Sequence, residues 1–232
     1  MDKVVKSSDE AVADIGDGAV VMSGGFGLCG IPENLIRALV AKGSRNLTII
    51  ANNLGSTDSK DGKIYGVGLL VRNAQVRKFI GSFPGPIAKF PWFMEPYRSK
   101  ALELEIIPQG TLNERIRCAA AGLGGFYTPT GVGTPIEEGK EKRVLGGREH
   151  ILELPLHADF ALVKAHRGDR SGNLIYRRSA RNYNPVMAPA ASVTIAEVEE
   201  LCEVGAFDPD GVHTPGLFVS MVVKGERYEK RY

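Results

Sequence analysis

Apolar positions follow two periods over the first half of the chain. Short apolar runs at 19–23, 47–51, 76–82 and 104–107 have the length and composition of strands buried on both faces. Between them apolar residues recur every three or four positions, which predicts helices over 8–15, 32–42, 67–73, part of 88–100 and 112–121. The 32–42 segment is the clearest. Leu35, Ile36, Leu39 and Val40 mark one face, Pro32 sits in the first turn where proline is tolerated, and Gly43 is placed to end the helix. Strands alternating with helices through short connections predict an α/β fold, a largely parallel sheet flanked by helices. After Gly122 the pattern changes. Residues 124–139 are rich in Gly, Pro and Thr, and 143–154 alternate around Gly146-Gly147, a two-residue hairpin signal. Further strands are expected at 159–165 and 217–223, so the second half reads as a β-rich embellishment of a single domain spanning 1–232. The last eight residues, GERYEKRY, read as solvated.

Composition narrows the function classes. With 43% hydrophobic and 24% charged residues the chain is globular rather than disordered. A formal charge of +2 excludes a strong general attraction to polyanions, so no nucleic-acid partner is expected. No apolar run reaches the ~20 residues of a membrane helix, and no membrane partner is expected. The start, MDKVVKSSDEAV, has no apolar run of signal-peptide length. Cys29, Cys118 and Cys202 are an odd, widely spaced set without a CxxC pair; neither a disulfide framework nor a metal site is expected, and a cytoplasmic location fits.

Residues 17–35, DGAVVMSGGFGLCGIPENL, carry the strongest chemical signal. A buried strand runs into Gly24, Gly25, Gly27 and Gly30, and Pro32 then opens a helix. Glycine permits positive φ and close approach of a ligand to the backbone, and the helix start is expected to aim free N–H groups into the same space. The alternative is a tight strand-to-helix turn that holds nothing. Residues 25–30 also satisfy G-x-G-x-x-G, the dinucleotide fingerprint, but Asn52 and Asn53 stand where that motif needs an acid. Glu33 would oppose a pyrophosphate, which weakens a nicotinamide enzyme further.

Taken together, GGFGLCGIPEN, IANN, IIPQGTLNERIR, YTPTGVGT, LPLHADFALVKAHRGDRSGN and SARNYNP resemble the A half of a family I 3-oxoacid CoA-transferase, from about residue 9 to about residue 223. The family's glycine signature, (D/N)-G, a strand, then GGF-x-x-x-G-x-P, is met from Asp17 to Pro32. The spelling GFGLCGIPEN is most similar to the succinyl-CoA:3-oxoacid type; the stretch GSTDSKDGKIYG after Asn53 is longer than is typical there. The resemblance implies a CoA-transferase-like fold and transfer of CoA from succinyl-CoA to acetoacetate or a similar acid.

It also implies a partner. The family's nucleophile is a glutamate in an S-E-N-G motif of the B half, and this chain has no S-E-N-G, its only Glu-Asn pair being Glu33-Asn34. The chain is therefore expected to work with a B subunit, in an A2B2 heterotetramer. In such an enzyme a glutamate attacks the acyl-CoA thioester, giving an acyl-glutamyl anhydride and CoA thiolate, which returns to form a glutamyl-CoA thioester as the donor acid leaves. The acceptor acid reverses these steps, and each passes through a tetrahedral oxyanion that fixed donors stabilise. CoA thioester is a substrate here; no tightly bound cofactor is implied.

By the resemblance, Asn52 donates its side-chain amide to the oxyanion, with an Asx turn as the structural alternative. Gln109, at the end of another strand, is implied to order the carboxylate or thioester; a simple turn residue before Gly110 is the alternative. Residues Gly24, Gly25, Phe26, Gly27, Leu28, Cys29 and Gly30 form the implied CoA-binding segment. From Lys164 to Arg181 six basic residues face one acid, Asp169, and could meet CoA phosphates, although a solvated or subunit-facing surface is the plainer reading. A dehydrogenase, a non-catalytic acyl-CoA-binding protein and another acyl-CoA reaction, such as decarboxylation or transfer to 3-oxoadipate or a short fatty acid, are the competing functions.

Overall fold

A computed structural model describes residues 1–57, 63–85 and 89–229. The main sheet has the order β13-β12-β10-β1-β2-β5-β6. Its strands are β1 (Val20–Ser23), β2 (Leu47–Ala51), β5 (Val76–Gly81), β6 (Glu103–Ile106), β10 (Ala158–Asp169), β12 (Ala191–Cys202) and β13 (Met221–Lys224), all parallel to their neighbours. The short β11 (Leu174–Ile175) pairs antiparallel with β10. Two small antiparallel sheets complete the strands: a ribbon of β3 (Ser56–Thr57) with β4 (Ile64–Tyr65), and β7 (Phe126–Thr128), β9 (Arg148–Glu153) and β8 (Lys142–Leu145). The ribbon flanks the long stretch after Asn53, of which residues 58–62 lie outside the described residues.

Alternation along the strands builds two cores. Val21, Ile49, Phe79, Leu162, Ile195 and Val223 face helices α1 (Ser8–Ala11), α2 (Glu33–Lys42), α3 (Gly68–Arg72) and α4 (Pro91–Arg98). Their neighbours Met22, Ile50, Ile80, Ala161, Ala196 and Val222 face α5 (Gln109–Ala120) and α6 (Asn184–Met187). Burial on both faces is why these strands read as continuous apolar runs. Helix α2 closes as its sequence demands, with Gly43 at φ 79° donating to the Leu39 carbonyl.

Several expectations need correction. The first helix stops at Ala11, one turn short of residue 15. Within 88–100 the helix occupies Pro91–Arg98, and residue 88 lies outside the described residues. The strand expected at 159–165 runs on to Asp169, and that expected at 217–223 begins only at Met221, after a 3-10 turn at Gly216–Phe218. The apolar pattern predicts no element over β12, which is as long as β10 and pairs with it from Ala158↔Ala191 to Asp169↔Cys202.

The charged tail is also not simply solvated, although residues 230–232 lie outside the described part. Residues 225–229 strap across α2: Arg37 Nη2 donates to the Arg227 carbonyl (2.7 Å), Arg227 N to Asn34 Oδ1 (3.2 Å) and Glu229 N to Glu33 Oε2 (3.0 Å).

Chain order reverses at the centre of the sheet. β1 is followed on one side by β2, β5 and β6, and on the other by β10, β12 and β13. The carboxyl ends of parallel strands at such a switch point are where open α/β sheets bind ligands. Here β1 ends at Ser23 opposite Leu162, while β10 and β12 continue past it as a two-stranded wall.

Candidate functional site

The glycine segment leaves β1 at this edge. Gly24 N–H donates to the Leu162 carbonyl (2.9 Å), extending the ladder by one residue. A Cβ on Gly24 would collide with the Asn184 amide, so only glycine fits between β1 and α6. Phe26 and Cys29 then exchange backbone hydrogen bonds (2.9 and 3.0 Å), folding the segment into a tight hairpin with Gly27 and Leu28 at its tip. Gly30, at φ 70°, returns against the Ala180 carbonyl, which a Cβ would approach to 2.6 Å. Two asparagines clamp the hairpin. Asn182 Oδ1 accepts from Gly25 N–H (3.2 Å) and its Nδ2 donates to the Cys29 carbonyl (3.0 Å); Asn184 Nδ2 donates to the Gly30 carbonyl (3.1 Å).

The expected cradle at the helix start is not there. The N–H groups of Asn34 and Leu35 are taken by Glu197 Oε2 at 2.8 and 2.9 Å, and Glu33 N–H by the Ile31 carbonyl at 3.0 Å. A carboxylate from β12 fills the position that the sequence assigns to a ligand anion. What the segment presents outward is its hairpin tip, with the Phe26 ring half in solvent.

Asn52 follows β2 and Gln109 opens α5 after β6, so parallel pairing brings both to the same edge. Gln109 Nε2 donates to Asn52 Oδ1 at 2.7 Å. The Asn52 carbonyl is held by Ser82 and Phe83 N–H (3.0 and 3.2 Å), and its side chain is buried. With Oδ1 committed to Gln109, the Asn52 amide has Nδ2 as its donor end. The Asx turn belongs to the neighbour: Asn53 Oδ1 accepts from Gly55 N–H (3.1 Å). Tyr183 joins the two halves of the edge, donating from its hydroxyl to the Gln109 carbonyl (3.1 Å) from between the clamping asparagines. Burial raises its phenol pKa, which keeps it a neutral donor. The crevice between the β1 and β2 ends, lined by Gly24, Gly25, Ala51 and Asn53, measures only about 10 Å³, so an acyl-CoA has no room inside it.

A family model described as Coenzyme A transferase matches residues 5–225. The chain belongs to that family. It is 49% identical over 231 residues to the A subunit of a probable succinyl-CoA:3-ketoacid coenzyme A transferase of Bacillus subtilis (strain 168), covering 100% of this chain and 93% of that one. The A subunit of a Pseudomonas putida 3-oxoadipate CoA-transferase is 49% identical over 223 residues, covering 96% and 94%. A human mitochondrial succinyl-CoA:3-ketoacid coenzyme A transferase is 46% identical over 240 residues, and there this chain spans only 45% of the relative's length. Among solved structures, an acyl-CoA transferase from Escherichia coli O157:H7 superposes with a TM-score of 0.80 at 21% identity, covering 97% of this chain and 47% of that one. The likeness in fold thus extends to chains about twice as long.

In this coenzyme A transferase chain four of the six basic residues from 164 to 181 are held in ion pairs within the chain. Lys164 is buried and pairs with Glu199 (2.9 Å), Arg177 also pairs with Glu199 (2.8 Å), Arg167 with Glu200 (3.5 Å) and Arg170 with Asp2. Only Lys164 departs from the solvated surface read from the sequence: Arg177 is exposed and Arg167 and Arg170 are half-exposed in surface ion pairs, and Arg178 and Arg181 pair with no acid among the described residues. The sequence alone assigns no role to Asn182, Tyr183 or Asn184. Two asparagines beside a proline in a segment without helical period were the available signal, and only their partners, over 150 residues earlier in the chain, give it meaning.

Proposed function

We propose that the chain is the A subunit of a 3-oxoacid CoA-transferase, moving CoA from succinyl-CoA to a 3-oxo acid such as acetoacetate with a nucleophilic glutamate carried by a separate B subunit. The observation that carries this reading is the Gln109–Asn52 hydrogen bond, which turns a neutral NH2 into a fixed donor at the switch-point edge. A tetrahedral oxyanion needs a donor of that kind, held before charge develops so that no reorganisation is needed during the reaction. A neutral amide also leaves the attacking carboxylate's charge undisturbed. The glycine hairpin, clamped by Asn182 and Asn184, supplies a rigid wall for the acyl-CoA, which enters as a substrate. Phe26 and Phe83 are exposed on this edge and would be covered by a docked B subunit. An A2B2 assembly in a reducing cytoplasm suits three cysteines that form no disulfide.

A second acceptor has its own support, since the Pseudomonas putida relative named for 3-oxoadipate is as similar as the Bacillus subtilis one. Both acids present a carboxylate two carbons from a ketone. The test is to give the co-expressed complex succinyl-CoA with acetoacetate or with 3-oxoadipate and separate the CoA esters. The expected result is a new 3-oxoacyl-CoA formed in step with succinate, without ATP. Release of free CoA with no new ester, or no consumption of succinyl-CoA, would overturn the reading.

A further inference from the structure

The first turn of α2 converges on a side chain that the transfer chemistry does not use. Glu197 stands in β12 opposite Lys164 of β10, two residues beyond the apolar pair Leu162–Ile195 and on the same face of the sheet. It is fully buried. Its Oε2 accepts from the backbone N–H of Asn34 and Leu35, and its Oε1 accepts from Asn34 Nδ2 at 2.7 Å. A buried carboxylate persists only where donors surround it, and a helix start supplies donors with the favourable end of the dipole. Asn34 Oδ1 accepts in turn from Arg37 Nη2 (2.9 Å) and from Arg227 N–H in the strap.

Only Ile31 and Pro32 separate this turn from Gly30. The place of the first turn therefore fixes where the glycine hairpin ends, while Asn182 and Asn184 hold its body. We propose that Glu197 is a positioning residue: by gripping the first turn of α2 from β12, it sets the glycine hairpin of residues 24–30 in its working position. The consequence for turnover rests on the CoA-transferase reading; the consequence for the hairpin does not.

Cys29, in the hairpin, offers a readout that needs no activity. Cys118 is fully buried, so in a Cys202→Ser background alkylation by iodoacetamide, followed by intact mass, reports on Cys29. Glu197→Gln keeps the size and an oxygen for the two backbone N–H groups but sets an NH2 against the Asn34 NH2, so one hydrogen bond of the grip becomes a clash of donors. The alkylation rate is expected to rise about tenfold as the hairpin opens more often. In the complex with its B subunit, kcat/KM is expected to fall by a similar factor. In Asn34→Asp/Glu197→Gln acid and amide trade places: the amide oxygen can take the two backbone N–H groups, and its NH2 donates to the carboxylate now on α2. Both values should return close to the Cys202→Ser parent. Unchanged alkylation in Glu197→Gln, or a rise that the double variant fails to reverse, would reduce Glu197 to a structural cap and overturn the proposal. If alkylation follows the expected pattern while the parent complex transfers no CoA, the positioning role stands and the transferase reading falls.

Discussion

Asn52 and Glu197 show how a side chain's role follows from its partners. Asn52 is a neutral amide whose oxygen is occupied, so its contribution to catalysis would come from one NH2 group. Asn52→Ala in the assembled enzyme is expected to lower kcat more than it raises KM, by about 2.7–4 kcal/mol in the barrier. Asn52→Asp should be worse, because a negative charge would lie beside the developing oxyanion. If Asn52 only shaped the chain, steady-state kinetics would stay near wild type while melting temperature fell. Glu197 is a different case. Burial pushes its carboxyl up to about 7, although its hydrogen bonds to Leu35 and Asn34 and the Lys164 charge pull the other way. Lys164 and Tyr228 are the other titratable groups that act on it, and Tyr228 in turn lies within reach of the Glu199 and Glu33 charges. A folded pKa above the unfolded one means that the native state holds its proton longer, so the stability from this group is full below the unfolded value and lost as pH rises through about 7. Chemical denaturation at pH 5 and pH 8 should therefore show the wild type losing up to about 3 kcal/mol more than Glu197→Gln. His213, whose pKa burial lowers, contributes the opposite slope in both proteins and cancels in that difference. Equal pH slopes would contradict the assignment.

At the scale of elements, the terminal strap is the part whose removal is most easily read. Residues 226–229 exchange several hydrogen bonds with α2, and Tyr65 donates to Glu229 (2.9 Å). Ending the chain after Gly225 is expected to lower Tm by on the order of 5 °C; an unchanged melting curve would mean the strap contributes nothing. Its sequence reads as a solvated tail because the partners of its backbone N–H groups lie nearly 200 positions away. The same distinction explains which elements were legible. Helix α2 and the Gly146-Gly147 hairpin carry their signals locally: apolar spacing with a glycine stop in one, two glycines at φ 58° and 78° in the other. β12 carries Glu197, Glu199 and Glu200 among its apolar residues, and nothing local says that α2 and Lys164 will satisfy the first two. The glycine segment was legible as a special turn, but not the fact that Glu197 would take the helix N–H groups. The choice between Asn52 and Asn53 was closed to sequence for a similar reason: it depends on Gln109, 57 positions on.

On the proposed reading, the whole molecule presents one side of an active site. The strands end together at a switch point, a clamped hairpin and one oriented amide stand there, and the crevice between β1 and β2 is too small to enclose a substrate. Four of the six side chains of the basic run that could have met CoA phosphates are paired with acids of this chain, three of them at the surface. Such a surface has donors and walls and lacks the S-E-N-G glutamate. The decisive experiment is to hold this chain at fixed concentration, titrate in a B subunit carrying that glutamate, and measure the initial rate of CoA transfer from succinyl-CoA to acetoacetate and 3-oxoadipate. No transfer is expected from this chain alone, and the rate should climb with added B subunit until the two are equimolar, then level off. Robust transfer by the isolated chain, or none at any ratio with both chains folded, would show that this is not half of a CoA-transferase.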